Sequence, residues 1–179
     1  MPRNLEVKAR IAALQDAEQI ARSINANPAG YLYQIDTYFN VQRGRLKLRE
    51  INRDHAELIY YSRNELSKCR ESDYEVFTSP NISVLKKFLE SSLGIRAIVR
   101  KQRKLYMYQS TRIHLDEVEQ LGSFLELESP IEQSAEAAQK VVDFLLKEFG
   151  VRESDYILSS YVDLIMANDR SGKDKEPVP

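Results

Sequence analysis

The sequence predicts an α+β fold, with about eight mainly antiparallel strands closed into a barrel, a charged bore, and amphipathic helices packed outside. Three observations carry this. Segments that alternate apolar and polar residues recur along the chain, mostly joined by short connections, as antiparallel neighbours allow. Three other segments repeat apolar residues at helical spacing, so each has a face to bury. On the polar face of the strands, Arg and Lys concentrate in some segments and carboxylates in others, unlike the mixture of an ordinary solvated face.

The first alternating segment, 4–10, is Asn4-Leu5-Glu6-Val7-Lys8-Ala9-Arg10. Extended, it sends Leu5, Val7 and Ala9 to one face, and Glu6 and Lys8 to the other. From Leu14, the residues Ala17, Ile20, Ala21 and Ile24 follow helical spacing and end near Asn27-Pro28. Segment 31–41 is rich in aromatic and β-branched residues, as strands prefer. A turn at Arg43-Gly44 leads into 44–51, where Arg45, Lys47 and Arg49 oppose Leu46 and Leu48. Segments 56–63 and 73–78 continue the alternation.

A second helix carries Val84, Leu85, Phe88, Leu89 and Leu93, with Gly94 as its C-cap. Strands then follow at 95–106, 108–118 and 121–128, with a turn at Gln120-Leu121-Gly122. Arg112, His114 and Asp116 share a face, and Glu126 and Glu128 oppose Leu125 and Leu127. After Pro130, the residues Ala137, Ala138, Val141, Val142, Leu145 and Leu146 mark a third helix that stops at Gly150. A short element around 161–166 caps one end. Residues 1–167 thus read as one domain, and the charged segment 168–179 as a disordered tail.

A length of 179 residues supports one domain with a full core. The formal net charge of −1 gives no general attraction to nucleic acid or to anionic membranes. A single cysteine, Cys69, excludes an intramolecular disulfide and a cysteine-based zinc cluster. No apolar run approaches the length of a membrane span and no signal peptide is evident, so the expectation is a cytoplasmic protein. The phosphate-binding G-x-x-x-x-G-K-[ST] loop, the His-Glu-x-x-His helix and the Gly-x-Ser-x-Gly elbow do not occur.

If the helices cover the apolar face of the sheet, the charged face must turn inward. An eight-stranded barrel leaves an interior wide enough for side chains or one small ligand. So many charges are tolerated there only with water or counter-charges. A polyanion carrying a divalent cation supplies both signs.

These segments, taken together, resemble the CYTH superfamily, and within it the class IV adenylate cyclase-like proteins. The resemblance runs from Arg3-Asn4-Leu5-Glu6-Val7-Lys8-Ala9-Arg10 through Gln34-Ile35-Asp36-Thr37-Tyr38-Phe39 and Gly44-Arg45-Leu46-Lys47-Leu48-Arg49. It continues through Ala56-Glu57-Leu58-Ile59-Tyr60-Tyr61, Val99-Arg100-Lys101-Gln102-Arg103 and Arg112-Ile113-His114-Leu115-Asp116. Gly122-Ser123-Phe124-Leu125-Glu126-Leu127-Glu128 and Ser160-Tyr161-Val162-Asp163-Leu164-Ile165 complete it. The fold it implies is a triphosphate tunnel. One position departs from the family's Glu-x-Glu-x-Lys signature: the first glutamate is Asn4, which removes one carboxylate.

The resemblance implies a residue set. Glu6, Glu126 and Glu128 are expected to hold Mg²⁺ or Mn²⁺. Lys8, Arg45, Lys47, Arg49, Lys101, Arg103 and Arg112 are expected to bind phosphate, Arg through paired donors and Lys as a point charge. Lys8, Arg112 and Asp116 are the expected catalytic residues. Asp36, Glu57 and Asp116 face the inferred bore, to hold a second cation, orient a basic residue by salt bridge or assist proton transfer. Arg10 and Arg63 fall at the rim, His114 is expected as a hydrogen-bonded neutral group, and Tyr38, Tyr60, Tyr61 and Phe39 as packing. The implied activity is adenylate cyclase. The alternatives are a triphosphatase acting on tripolyphosphate, thiamine triphosphate or a nucleotide, and a polyphosphate- or nucleotide-binding module without turnover. The expected partner is a nucleotide or an inorganic triphosphate, without nucleic acid or membrane, and a homodimer is compatible with it.

Overall fold

The computed structural model describes residues 4–63, 72–78, 81–132 and 134–173. The strands are β1 (Asn4–Arg10), β2 (Asn27–Phe39), β3 (Arg45–Ile51), β4 (His55–Arg63), β5 (Ser72–Thr78), β6 (Ile95–Tyr108), β7 (Thr111–Val118) and β8 (Gly122–Pro130). The helices among the described residues are α1 (Leu14–Ser23), α2 (Ile82–Leu93), α3 (Ala135–Glu148) and α4 (Tyr161–Lys173), with a 3-10 turn over Glu153–Asp155. No helix among them is long and apolar enough to cross a membrane. The expectations for Cys69 and the side chain of Arg63 fall outside what is described.

All eight strands form one antiparallel sheet in the order β1-β8-β7-β6-β2-β3-β4-β5. The expected hydrogen-bonded closure is not found: among the described residues no ladder joins β1 to β5. Part of β1's outer edge is instead occupied by the chain leading into α4. Tyr156 bridges Ala9, and the Ile157 amide donates to the Lys8 carbonyl at 2.9 Å. The sheet is nevertheless strongly curled, because all eight strands contribute to the lining of a single cavity.

The outer face carries the two helical layers expected of it. Leu5, Val7, Ile113, Leu115, Leu125 and Leu127 pack under α1 and α3 through Ala17, Ala21, Val142 and Leu145. Phe39, Leu48 and Ala56 pack under Leu89 of α2. A third apolar cluster lies at one end of the bore, where Tyr38, Val99, Val118 and Phe124 meet Tyr161, Val162 and Ile165 of α4. The C-terminal helix therefore plugs one end of the cavity. Arg45 anchors it, donating to Ser160 Oγ and, at 2.9 Å, to Asp163 Oδ2.

Two boundaries differ from expectation. Strand β2 begins at Asn27, not at 31, and accommodates Pro28 by a register shift between Pro28 and Gly30 against β6. Proline is tolerated in a sheet at such an irregularity because it has no amide to donate. Helix α4 continues to Lys173, so the segment expected as a tail from 168 starts as helix. Once Val162 and Ile165 dock one face, adding further turns is far cheaper than nucleating them. The β2–β3 turn needs Gly44 at φ 63°, since a Cβ there would lie 2.8 Å from the Tyr60 hydroxyl and the Tyr61 carbonyl.

Candidate functional site

Strand register brings the distant acidic segments together. In the antiparallel β1–β8 pair, Glu6 lies opposite Glu128 and Lys8 opposite Glu126. On the other side of β8, His114 lies opposite Glu126 and Arg112 opposite Glu128. Side chains directly opposite on one face are neighbours. The β1–β8–β7 part of the sheet thus presents three glutamates, one histidine and their basic partners as one wall.

The facing wall comes from β2, β3 and β6. Asp36 is its centre, buried and in contact with three cations. Arg49 donates Nε to Oδ1 at 2.7 Å and Nη2 to Oδ2 at 2.8 Å, while Lys47 Nζ donates to Oδ2 at 3.1 Å. Lys101 Nζ lies 3.9 Å from the same oxygen. Burial alone would push the Asp36 carboxyl up, but these cations hold it well below the usual carboxylate range.

A second fork ties the walls together. Arg103 donates Nε and Nη2 to the two oxygens of Asp116, both at 2.6 Å, and Nη2 also reaches Glu126 Oε2 at 2.7 Å. The Tyr161 hydroxyl of α4 donates to Asp116 Oδ2 at 3.0 Å. Its ring lies under Lys8 Nζ, 4.1 Å away, and Lys101 Nζ, 5.2 Å away. Lys8 Nζ is 3.4 Å from Glu126 Oε1. Burial raises the Glu126 carboxyl, and the Lys8 and Arg103 cations more than reverse that.

The space between the walls is a cavity of about 450 Å³. Glu6, Glu126, Glu128, Lys8, Lys47, Arg49, Lys101, Arg103 and Arg112 all line it, together with Asn4, Asp36 and Glu57. Two expected site residues lie elsewhere. Arg45 is spent on Ser160 and Asp163 at the plugged end, so it holds α4. Asp116 is fully buried behind Arg103 and is absent from the lining, which makes it a positioning group. Arg10, expected at the rim, donates to the Leu121 carbonyl at 2.7 Å and stacks over Phe124.

Three features were not accessible to sequence reasoning. Burial, reinforced by neighbouring guanidinium groups, pulls Lys101 down to about 7 and Lys47 down to about 8, although Asp36 opposes this. Tyr161 belongs to the floor of the site, where the sequence marks it only as part of a closing motif. His114 is buried, and its Nδ1 makes no hydrogen bond. Burial and then the Arg103 guanidinium push its imidazole below the ordinary range, so it is neutral near pH 7. His114, Glu126 and Glu128 each offer a ligand atom, all within 4.8 Å of one another.

Comparison with known proteins agrees with this architecture. The CYTH domain model matches residues 2–161. A Pyrococcus horikoshii protein superposes with a TM-score of 0.78 at 24% identity, covering 90% of this chain and 98% of its own. A candidate adenylate cyclase from Vibrio parahaemolyticus gives 0.73 at 17% identity, covering 92% and 98%. A candidate adenylyl cyclase from Hippeastrum, described as having a dominant triphosphatase activity, gives 0.67 at 16% identity, covering 100% and 98%. No curated protein matches the chain.

Proposed function

Because the chain belongs to the CYTH domain family, we propose that it is a metal-dependent enzyme acting on a triphosphate held in the cavity, converting ATP to cyclic AMP and pyrophosphate. The observation that carries this reading is the pairing of opposite walls in one cavity, with carboxylates on β1 and β8 facing Lys47, Arg49, Lys101 and Arg103. A volume of about 450 Å³ lies within the ordinary range for small-molecule sites.

The donors on the β1–β8–β7 wall suit Mg²⁺ or Mn²⁺, since both take carboxylate oxygens and keep several waters. Such a cation, when bound, neutralises phosphate charge and polarises the phosphorus under attack. The chain's own residues supply the rest. Arg49 offers a fixed, planar guanidinium, Arg103 offers its Nη1 beyond the donors engaged by Asp116 and Glu126, and Lys8, Lys47, Lys101 and Arg112 add charge around the phosphates. Asp116 fixes the plane of Arg103 and does not touch substrate. In-line attack of the ribose 3′-hydroxyl on the α-phosphorus forms the cyclic ester and expels pyrophosphate.

A second reading keeps the site and changes the nucleophile. The Arg112 side chain is 45% exposed, so water reaches the Glu128 end of the cavity. Attack by water on the terminal phosphorus makes the protein a triphosphatase. Incubation with ATP and Mn²⁺, followed by chromatography, separates the two. Cyclic AMP with pyrophosphate is the expected result. Orthophosphate without cyclic AMP overturns the cyclase, and triphosphate binding without any product leaves the binding module that Asn4 favours.

The reading also sets a pH dependence. A protonated lysine attracts a polyanion and a neutral one does not. Metal-free affinity for tripolyphosphate, measured calorimetrically, should therefore fall as pH rises from about 7 through 8, as Lys101 and then Lys47 lose their protons. The fall should level off at higher pH, where the bound phosphates no longer hold those protons. The ligand's own charge only increases over this range, so a decline must come from the protein. An affinity that rises across the window would remove both lysines from the phosphate site.

A further inference from the structure

The geometry points to His114 as a nitrogen ligand of the divalent cation, completing a mixed site with Glu126 and Glu128 that favours transition metals over Mg²⁺. This rests on the reading that the cavity holds a cation at all. His114 Nδ1 lies 3.9 Å from Glu126 Oε2 and 3.9 Å from Glu128 Oε1. Both distances exceed hydrogen-bond reach, and Nδ1 has no other partner although the side chain is only 6% exposed. A buried ring nitrogen without a partner is costly unless something completes it. Ligand atoms about 2.1 Å from a shared ion sit roughly 3.0 Å apart when adjacent and roughly 4.2 Å when opposite, so the 3.9 Å gaps leave room for a cation that draws these side chains slightly inward.

The neighbours leave the required lone pairs available. Arg112 donates to Glu128 Oε2 at 2.9 Å through Nε, while Oε1 is the oxygen nearest His114. Arg103 takes one lone pair of Glu126 Oε2 at 2.7 Å, and a carboxylate oxygen has a second. The cross-strand register explains the convergence, because His114 is opposite Glu126 and one step diagonal to Glu128. Carboxylate oxygens alone suit Mg²⁺, Ca²⁺ and Mn²⁺ alike, whereas an imidazole raises affinity for first-row transition ions relative to Mg²⁺.

The test uses the intact protein and Mn²⁺ as a paramagnetic probe. Pulsed electron paramagnetic resonance of the Mn²⁺-loaded parent should show modulation from a directly bound ¹⁴N nucleus, a signal that needs no variant. In calorimetric titrations, His114→Gln should weaken Mn²⁺ binding at least ~10-fold and Mg²⁺ binding less than twofold. Mn²⁺ binding that is lost in Glu126→Gln but shows no ¹⁴N modulation overturns the histidine ligand while leaving the cation site standing. Failure of the parent to bind Mn²⁺ by either method overturns both.

Discussion

With the cavity turning over a triphosphate as proposed, replacing Glu126 with Gln is expected to lower kcat at least ~100-fold under saturating triphosphate and Mn²⁺. Three independent contacts converge on this carboxylate. Lys8 lies 3.4 Å from one oxygen, and Arg103 donates to the other at 2.7 Å. His114 lies opposite on β7. Glutamine keeps the shape but removes the charge that balances two buried cations and offers a metal ligand. Its amide nitrogen must also face donors on at least one side, which turns attraction into repulsion. Comparing kcat with direct Mn²⁺ binding separates chemistry from folding. An unchanged kcat together with unchanged Mn²⁺ affinity would show that the acidic wall is not where the cation acts.

The second large effect falls on stability. Asp36→Asn leaves Lys47, Arg49 and Lys101 without the carboxylate they share. Removing one partner of a buried charge cluster costs about 3–5 kcal/mol, because the remaining charges stay desolvated. For a chain of this size that corresponds to a Tm lower by roughly 6–20 °C. A polyanion in the cavity supplies the missing counter-charge. Tripolyphosphate should therefore raise the Tm of Asp36→Asn by more than it raises that of the parent, read by thermal-shift fluorescence at several ligand concentrations. Ligand in hundredfold excess over Kd contributes about 2.7 kcal/mol even without this effect, so the parent provides the baseline. Equal shifts in both proteins would mean that bound phosphate does not reach the Asp36 cluster.

Much of the site was legible because strand phase is local. The alternation in Asn4–Arg10 and Gly122–Pro130 is enough to assign Glu6, Lys8, Glu126 and Glu128 to a polar face, whatever their neighbours. The same holds for Lys47, Arg49, Lys101 and Arg103, all of which line the cavity. Phase also marked Arg45, but phase does not say how far along the bore a residue lies. Arg45 sits at the plugged end, where Ser160 and Asp163 take its donors.

Other roles depended on register and docking. Asp116 shares a face with His114 and Arg112, yet opposite Arg103 it becomes a buried brace and not a cavity residue. His114 reads from sequence as one polar-face histidine among many possibilities. Only its pairing opposite Glu126 leaves Nδ1 buried between two carboxylates. Tyr161 enters the site because α4 plugs the bore, and Lys101 and Lys47 are pulled down by burial and then by the guanidinium groups beside them.

The sequence by itself determined the eight alternating strands, the outward helices, the inward charge and the family. Those follow from side-chain periodicity and composition, which are properties of short segments. The tertiary structure alone decided how the sheet ends, with Tyr156 and Ile157 on the edge of β1 and no ladder from β1 to β5 among the described residues. It also decided which charges meet which partners. Both are matters of register and burial between residues far apart in the chain, where a few ångströms separate a phosphate donor from a structural clamp.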